Sequence, residues 1–215
     1  MGRTAVFGGS FNPIHLGHLL MADEMLERLR LDRVVFVPAA APPHKPASLL
    51  APAEHRYEMV RLAVAGHPGF EVSDLELRRR GPSFTVDTLE ALARTGDELF
   101  LLVGSETFLD LLSWRLPRRI VELARVVVVP RTGSAFDPES AAAQKVLREI
   151  GAERFVGPDD TITPGTVVVV HAASLPISSS DLRARARQGR SLAYRVPDAV
   201  VTYIRRHRLY AGDGA

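Results

Sequence analysis

The stretch Val6-Phe7-Gly8-Gly9-Ser10-Phe11-Asn12-Pro13-Ile14-His15-Leu16-Gly17-His18 decides how this chain folds. The apolar run from Thr4 to Phe7 reads as a buried strand. Two glycines stop it, Asn12-Pro13 makes a polar turn, and a helix restarts near His15. Glycine at positions 8 and 9 permits positive φ and leaves bare main chain toward a ligand. The helix start behind the turn offers unpaired N–H groups and a positive dipole end, which suit a phosphate. His15 and His18 are three apart and share one helical face. Gly17 between them removes a side chain where a nucleotide base could lie. A Gly-Gly turn alone is common in α/β proteins, and two histidines so spaced also suit a helix cap or half of a zinc site.

Outward from this stretch, Leu19, Ala22, Leu26 and Leu29 form one helical face, with Asp23, Glu24, Glu27 and Arg28 on the other. Val34 to Val37 is a second buried strand, ended by Pro38. Strand, helix and strand over residues 4–37 imply a right-handed crossover and a parallel sheet. The proline-rich loop Ala39-Ala40-Ala41-Pro42-Pro43-His44-Lys45-Pro46 follows. Loops at the carboxyl ends of strands border the ligand crevice of an open α/β sheet, so His44 and Lys45 are expected to face the glycine turn. Ala53 to Val64 reads as a helix with Tyr57, Val60, Leu62 and Val64 in the core. Phe70 to Leu77 reads as a strand with an extended continuation, and Arg78-Arg79-Arg80-Gly81 as a solvated turn. Gly81 to Thr85 opens a helix to about Ala93, capped by Ser83 or Thr85.

Leu99 to Val103 is another buried strand, expected beside the first so that Gly104-Ser105-Glu106 lines the same crevice. A short helix (Arg118 to Ala124), a strand (Arg125 to Val129) and a surface helix (Pro138 to Ile150) come next. A variable connection (Gly151 to Gly165) leads to a last strand, Thr166 to Val170. Ser178-Ser179-Ser180-Asp181 before Leu182 makes an N-cap, and it also presents a helix end to a phosphate with Arg183 one turn in. The final helix starts near Pro197, and residues 211–215 are expected to fray. Nothing marks a second compact unit, so one domain over 1–210 is expected.

Composition narrows the classes. The 215 residues are 46% hydrophobic and 24% charged, an ordinary globular balance. No apolar run approaches the ~18 residues needed to span a bilayer, and the first strand begins too early for a signal peptide. With zero cysteines, disulfides, thiolate metal sites and Cys nucleophiles are excluded. A cytoplasmic enzyme is the expectation, and a homo-oligomer is compatible with it. A net charge of +2 argues against a nucleic-acid polymer as partner. Lys45 and Lys145 are the only lysines; the other 25 of the 27 basic residues are arginines.

In combination these stretches are more specific than any one of them. They resemble the signature of the HxGH nucleotidyltransferase superfamily, and Gly8 to His18 resembles its bacterial nicotinate-nucleotide adenylyltransferase branch. Pro42-Pro43-His44-Lys45, Ser83-Phe84-Thr85, Gly104 to Glu106 with Trp114, and Ile177 to Arg183 resemble further elements in the branch's order, covering nearly the whole chain. Three positions depart from it: Asn12 and Glu106 each stand where Asp is usual, and Phe84 where Tyr is. The resemblance implies a doubly wound, mostly parallel Rossmann-like α/β sheet with helices on both faces. It implies transfer of the adenylyl group of ATP to nicotinate mononucleotide, giving nicotinate adenine dinucleotide and pyrophosphate. By the same resemblance, His15, His18, Lys45 and Arg183 are catalytic. Gly8, Gly9, Ser10, Phe11, Gly17, Gly104, Glu106, Ile177 and Ser178 would bind ATP. Asn12, His44, Thr85, Trp114 and Arg115 would bind the nicotinate nucleotide, with Trp114 stacked on its ring.

The residues themselves agree with this chemistry. There is no Gly-x-x-x-x-Gly-Lys-Ser/Thr loop, no Gly-x-Gly-x-x-Gly fingerprint and no compelling Ser–His–Asp order. Cations and helix ends without an obvious nucleophile suit in-line phosphoryl transfer, in which the acceptor phosphate is already a nucleophile. Mg2+ is expected to arrive with ATP, since the motifs hold no carboxylate cluster. Alternatives are a nicotinamide-mononucleotide or phosphopantetheine adenylyltransferase, a non-catalytic nucleotide-binding regulator, and a zinc site from His15, His18 and His44. If Lys45 serves as a compact point charge, Lys45→Arg lowers turnover although charge is kept, whereas Lys145→Arg is silent. Pyrophosphate-release kinetics of the two variants check this; equal, near-native values would mean that scarce lysine is only codon usage.

Overall fold

The computed structural model describes residues 2–44, 46–130, 133–173 and 175–211. In chain order the elements are β1 (Arg3–Gly9), α1 (Leu16–Arg28), β2 (Arg33–Pro38), α2 (Ala53–Val64), β3 (Phe70–Val72), α3 (Leu75–Arg78), α4 (Thr85–Leu92) and β4 (Glu98–Gly104). There follow α5 (Ser105–Leu109), α6 (Pro117–Leu123), β5 (Ala124–Val129), α7 (Ala141–Ile150), β6 (Arg154–Val156), β7 (Thr166–Val169), α8 (Ser179–Arg187) and α9 (Asp198–Arg206). The strands form one sheet of order β3-β2-β1-β4-β5-β7-β6, and each described pairing is parallel. Its Rossmann-like α/β architecture is the expected one.

Strand alternation divides the core in two. Ala5, Phe7, Val34, Phe36, Phe100 and Leu102 face α1, α2, α8 and α9. Val6, Val35, Val37, Leu101 and Val103 face α4, α5, α6 and α7. Continuous apolar runs such as Val34 to Val37 follow from burial on both faces.

Several boundaries differ from expectation. β1 does not stop at the glycines: Gly8 pairs with Val37 and Gly9 with Pro38. The continuation of β3 is a helix, α3, because the Ser73 hydroxyl accepts the Leu75 N–H at 3.3 Å and Asp74 holds Arg78 at 2.8 Å. α4 is not capped by Ser83 or Thr85. Its N-cap is Phe84, and Ser83 instead pairs with Ala41 through its N–H (2.9 Å) and hydroxyl (3.1 Å). The Gly151–Gly165 connection contains β6, whose three residues were too few to show a pattern. Arg56 and Met59 fill the α2 core face, while Tyr57 and Leu62 are half-buried. Residues 212–215 of the expected frayed tail lie outside the described residues.

The amino-terminal edge of the sheet is locked by charge. Asp97, just before β4, accepts from the Thr4 hydroxyl (2.9 Å), the Gly2 N–H (3.0 Å) and Arg33 (2.8 Å), tying the starts of three neighbouring strands. Those donors, Thr4 foremost, hold the Asp97 carboxyl below the usual carboxylate range. A depressed carboxyl contributes stability that is present above its unfolded pKa of ~3.9 and lost as pH falls through the folded value. Asp97→Asn should therefore lower Tm at pH 7, and its difference from wild type should shrink as the pH falls below ~3.9. Thermal melts across pH check this; a pH-independent difference would contradict it.

Candidate active site

β1 and β4 lie side by side at the point where the chain turns from building one half of the sheet to the other. Loops leave their carboxyl ends in opposite directions, which opens a crevice. A cleft of about 1380 Å³ sits there. That exceeds the ~300–1,000 Å³ typical of a single small-ligand site and leaves room for two nucleotides together. Gly8, Gly9, Ser10, Phe11, Asn12, His15, Gly17, His18 and His44 all line it, as do Thr85, Gly104, Glu106, Trp114, Arg115, Ile177, Ser178 and Arg183. Lys45 lies outside the described residues.

Their local reasons differ from the simple reading. Neither Gly8 nor Gly9 has positive φ; the left-handed residue in the turn is Phe11, at φ 42°. A Cβ on Gly8 would meet nothing within 4 Å, so its main chain faces open space. A Cβ on Gly9 would stand 3.0 Å from the Phe11 ring. Phe11 is buried and packs edge-on against Phe7 (centroids 5.4 Å apart) and His18 (5.2 Å). It supports the cleft floor from beneath. A Cβ on Gly17 would lie 3.2 Å from His15 Nδ1, so this glycine first makes room for the His15 ring.

The two histidines are brought together. His15 precedes α1 as its N-cap, and its ring stacks on His18 with centroids 3.6 Å apart and 23° between planes. The His15 main-chain N–H donates to His18 Nδ1 at 3.2 Å. A lone pair at Nδ1 places the proton of the neutral ring on Nε2, which makes His18 a donor there. Stacked rings do not converge on one ion. Among the described residues, no three His, Cys, Asp or Glu are grouped to hold a metal, against the zinc alternative.

Asn12 and Arg183 are tied into the protein. Asn12 is 3% exposed. Its Nδ2 donates to the Leu49 carbonyl (2.9 Å), and its Oδ1 accepts from the Ala51 N–H (3.0 Å) and the Tyr210 hydroxyl (2.8 Å). Both ends of the amide expected at the acceptor are thus engaged by protein. Arg183 donates to the Asn12 carbonyl (2.9 Å) and to Ser180 Oγ (3.3 Å). Ser178 caps α8 by accepting the Asp181 N–H at 3.1 Å, and Ser179 donates to the Pro13 carbonyl at 2.8 Å. These bonds hold the start of α8 against the turn after β1.

At the other end of the cleft, Thr85 begins α4, Arg115 lies over the Phe84 ring at 4.9 Å, and half-buried Trp114 packs nearby. Glu76 and Thr88 line the cleft as well, and the sequence reading missed both. The Thr88 hydroxyl donates to Glu76 Oε1 at 2.6 Å, while Oε2 has no hydrogen-bond partner among the described residues. Arg79, read as part of a solvated turn, is half-buried and stands 3.9 Å from Glu76. Arg56 was also missed. Its signal was present, since it shares a helical stripe with Met59, Val60 and Val64.

Comparison with known proteins agrees with this geometry. The model of the cytidylyltransferase-like family matches residues 6–185. A probable nicotinate-nucleotide adenylyltransferase of Roseiflexus sp. (strain RS-1) is 44% identical over 206 residues, covering 95% of this chain and 96% of its own. One from Thermus thermophilus is 45% identical over 210 residues, covering 97% and 99%. Among solved structures, the Plasmodium falciparum nicotinic acid mononucleotide adenylyltransferase complexed with NaAD shares the fold, with TM-score 0.74, 18% identity and 98% of each chain covered. The chain belongs to the cytidylyltransferase-like family, in its nicotinate-nucleotide adenylyltransferase branch.

Proposed function

We propose that the chain transfers the adenylyl group of ATP to nicotinate mononucleotide, forming nicotinate adenine dinucleotide and pyrophosphate. One observation carries this reading: a single cleft joins a donor-rich, helix-ended half at His15, His18 and Arg183 to an aromatic half at Phe84 and Trp114. An oxygen of the acceptor's phosphate attacks the α-phosphorus of ATP, and the bond from that phosphorus to the pyrophosphate oxygen breaks. No proton has to be removed, so the protein's work is alignment and charge neutralisation.

The roles follow. His18 donates from Nε2 to the reacting phosphate, with His15 stacked beside it. Arg183, Lys45 and the start of α8 take the charge of the departing pyrophosphate. Gly8, Gly9 and Ser10 offer main chain to ATP, with Gly17, Gly104, Glu106, Ile177 and Ser178 around it. His44, Thr85, Trp114 and Arg115 hold the acceptor, while Asn12, lining the cleft with its amide engaged by Leu49, Ala51 and Tyr210, braces the wall there. Mg2+ enters as part of the MgATP substrate. A cytoplasmic setting, where ATP is supplied, suits this reaction, and no described helix is long and apolar enough to cross a membrane. Loss of one transition-state donor costs ~3 kcal/mol, or roughly a hundredfold in rate. His18→Ala should lower kcat by about that factor while Tm holds; more than about a third of wild-type turnover would contradict the role.

The acceptor's identity turns on one substituent. The α4 N-terminus, Thr85 and the cation Arg115 favour a carboxylate, which gains hydrogen bonds and dipole energy there. An amide would set its own NH₂ against those donors, at ~1–3 kcal/mol for each group left unpaired. Glu76 favours the second reading, nicotinamide mononucleotide, because its Oε2 could accept an amide N–H. Arg79, 3.9 Å from Glu76, offsets that carboxylate's charge and leaves Arg115 to set the sign at this end of the cleft. The expected result is a preference for nicotinate mononucleotide of at least about a hundredfold in kcat/KM, two such mismatches adding. Pyrophosphate release measured with both mononucleotides decides, and comparable values would promote the nicotinamide reading.

A further inference from the structure

α2 carries an arginine where its core stripe calls for an apolar side chain. Arg56 is 1% exposed, and among the described residues no carboxylate forms an ion pair with it. Its guanidinium donates to four carbonyls: Nε to Ala51 (2.9 Å), one terminal nitrogen to Ser10 (2.9 Å) and Ala39 (2.6 Å), and the other to Ala40 (3.1 Å). Burial lowers its pKa from the ordinary arginine value, yet a guanidinium keeps its charge in a protein.

The acceptors are not scattered through the core. Ser10 lies in the turn after β1, Ala39 and Ala40 leave β2, and Ala51 leads into α2. Two of these residues, Ser10 and Ala39, line the cleft themselves, as do Pro42, Pro43 and His44 of the same loop. The same loop is held again at its far end, where Asn12 takes the Leu49 carbonyl and the Ala51 N–H. A buried cation whose described hydrogen bonds all go to main-chain carbonyls is a demanding device. Here it joins two segments that approach the substrates from different strands.

We propose that Arg56 is a positioning residue for the adenylyl transfer, fixing the phosphate turn at Ser10 and the 39–51 loop in one relative placement. The proposal rests on the adenylyltransferase reading. Its geometry requires a planar fork, because three donor nitrogens reach four carbonyls around one plane. An ammonium is a compact point charge with three donors and cannot span them. Arg56→Lys therefore keeps the charge and loosens the placement. A misplacement of about 1 Å remote from the chemistry costs on the order of a hundredfold in rate.

The test compares wild type, Arg56→Lys and Arg56→Gln in pyrophosphate release, well below each Tm, together with amide hydrogen exchange. Expected for Arg56→Lys are a kcat lower by roughly thirty- to a hundredfold, KM values changed by less than about fivefold, and a Tm within a few degrees. Faster exchange should be confined to residues 10–12 and 39–51, with α2 still protected. Arg56→Gln, neutral and shorter, should lose at least as much kcat. Wild-type-like kcat in Arg56→Lys overturns the proposal, as does exchange that rises evenly through the core. Failure of both variants to fold overturns it too, since Arg56 then serves the fold alone. A wild type that releases no pyrophosphate with any pyridine mononucleotide instead sinks the adenylyltransferase reading, a distinct result.

Discussion

The phosphate-facing half of the cleft depends on how the chain turns from β1 into α1. Residues 10–15 make that turn, and Phe11 takes the left-handed conformation within it. For a non-glycine residue this costs about 1–2 kcal/mol, against roughly 1.5–3 kcal/mol from fully burying a phenylalanine ring. Burial wins, and consequences follow in both directions. Gly9 has to lack a side chain because the Phe11 ring occupies its space. The ring then presses edge-on against His18, so the same contact that closes the turn also orients the histidine. Gly8, exposed and with open space where a Cβ would be, presents its main chain outward.

The two edges of the sheet are held by different means. At the amino-terminal edge, Asp97, Thr4 and Arg33 pair side chain to side chain. At the carboxyl edge, Arg56, Asn12 and Arg183 bind main-chain carbonyls of the loops. An apolar residue at position 56 could fill the same volume, yet it would strip the guanidinium's hydrogen bonds from Ser10, Ala39, Ala40 and Ala51. Leaving a buried polar group unpaired costs ~1–3 kcal/mol, so a few such losses outweigh what an apolar side chain would gain. Tyr210 joins this edge through Asn12, and burial pushes its phenol pKa up, so its hydroxyl stays a donor. The carboxyl edge thus holds its loops by polar anchors on their main chain.

The parallel order was legible because fully buried strands are continuous apolar runs, and Val34 to Val37 and Leu99 to Val103 could be little else. The cleft was legible for a similar reason. Each of these glycine, histidine and serine runs has other uses alone, but their order at successive strand exits does not, and all the expected residues that are described line one crevice. What escaped was whatever depends on tertiary partners. β6 has three residues and no period. The helical stripe places Arg56 on the core face, but only the fold brings its four carbonyl partners around it. Arg79 read as a solvated turn, and Glu76 drew no reading, because the helix they face through Thr88 is separated from them by a turn.

The three departures from the branch's usual residues find physical explanations in the same geometry. At position 12 the Leu49 carbonyl needs a donor, which the amide Nδ2 supplies and a carboxylate would repel. Phe84 acts through its main chain as the α4 N-cap and through its ring face under Arg115, neither of which calls for a phenolic hydroxyl. Glu106 stands in the first turn of α5, exposed at the cleft, where a carboxylate favours the helix dipole whatever the length of its stem. A signature residue can therefore belong to the site without touching a ligand. Asn12 and Phe11 lie within the most diagnostic stretch of the chain, yet both work from beneath it, one holding a loop and the other a histidine.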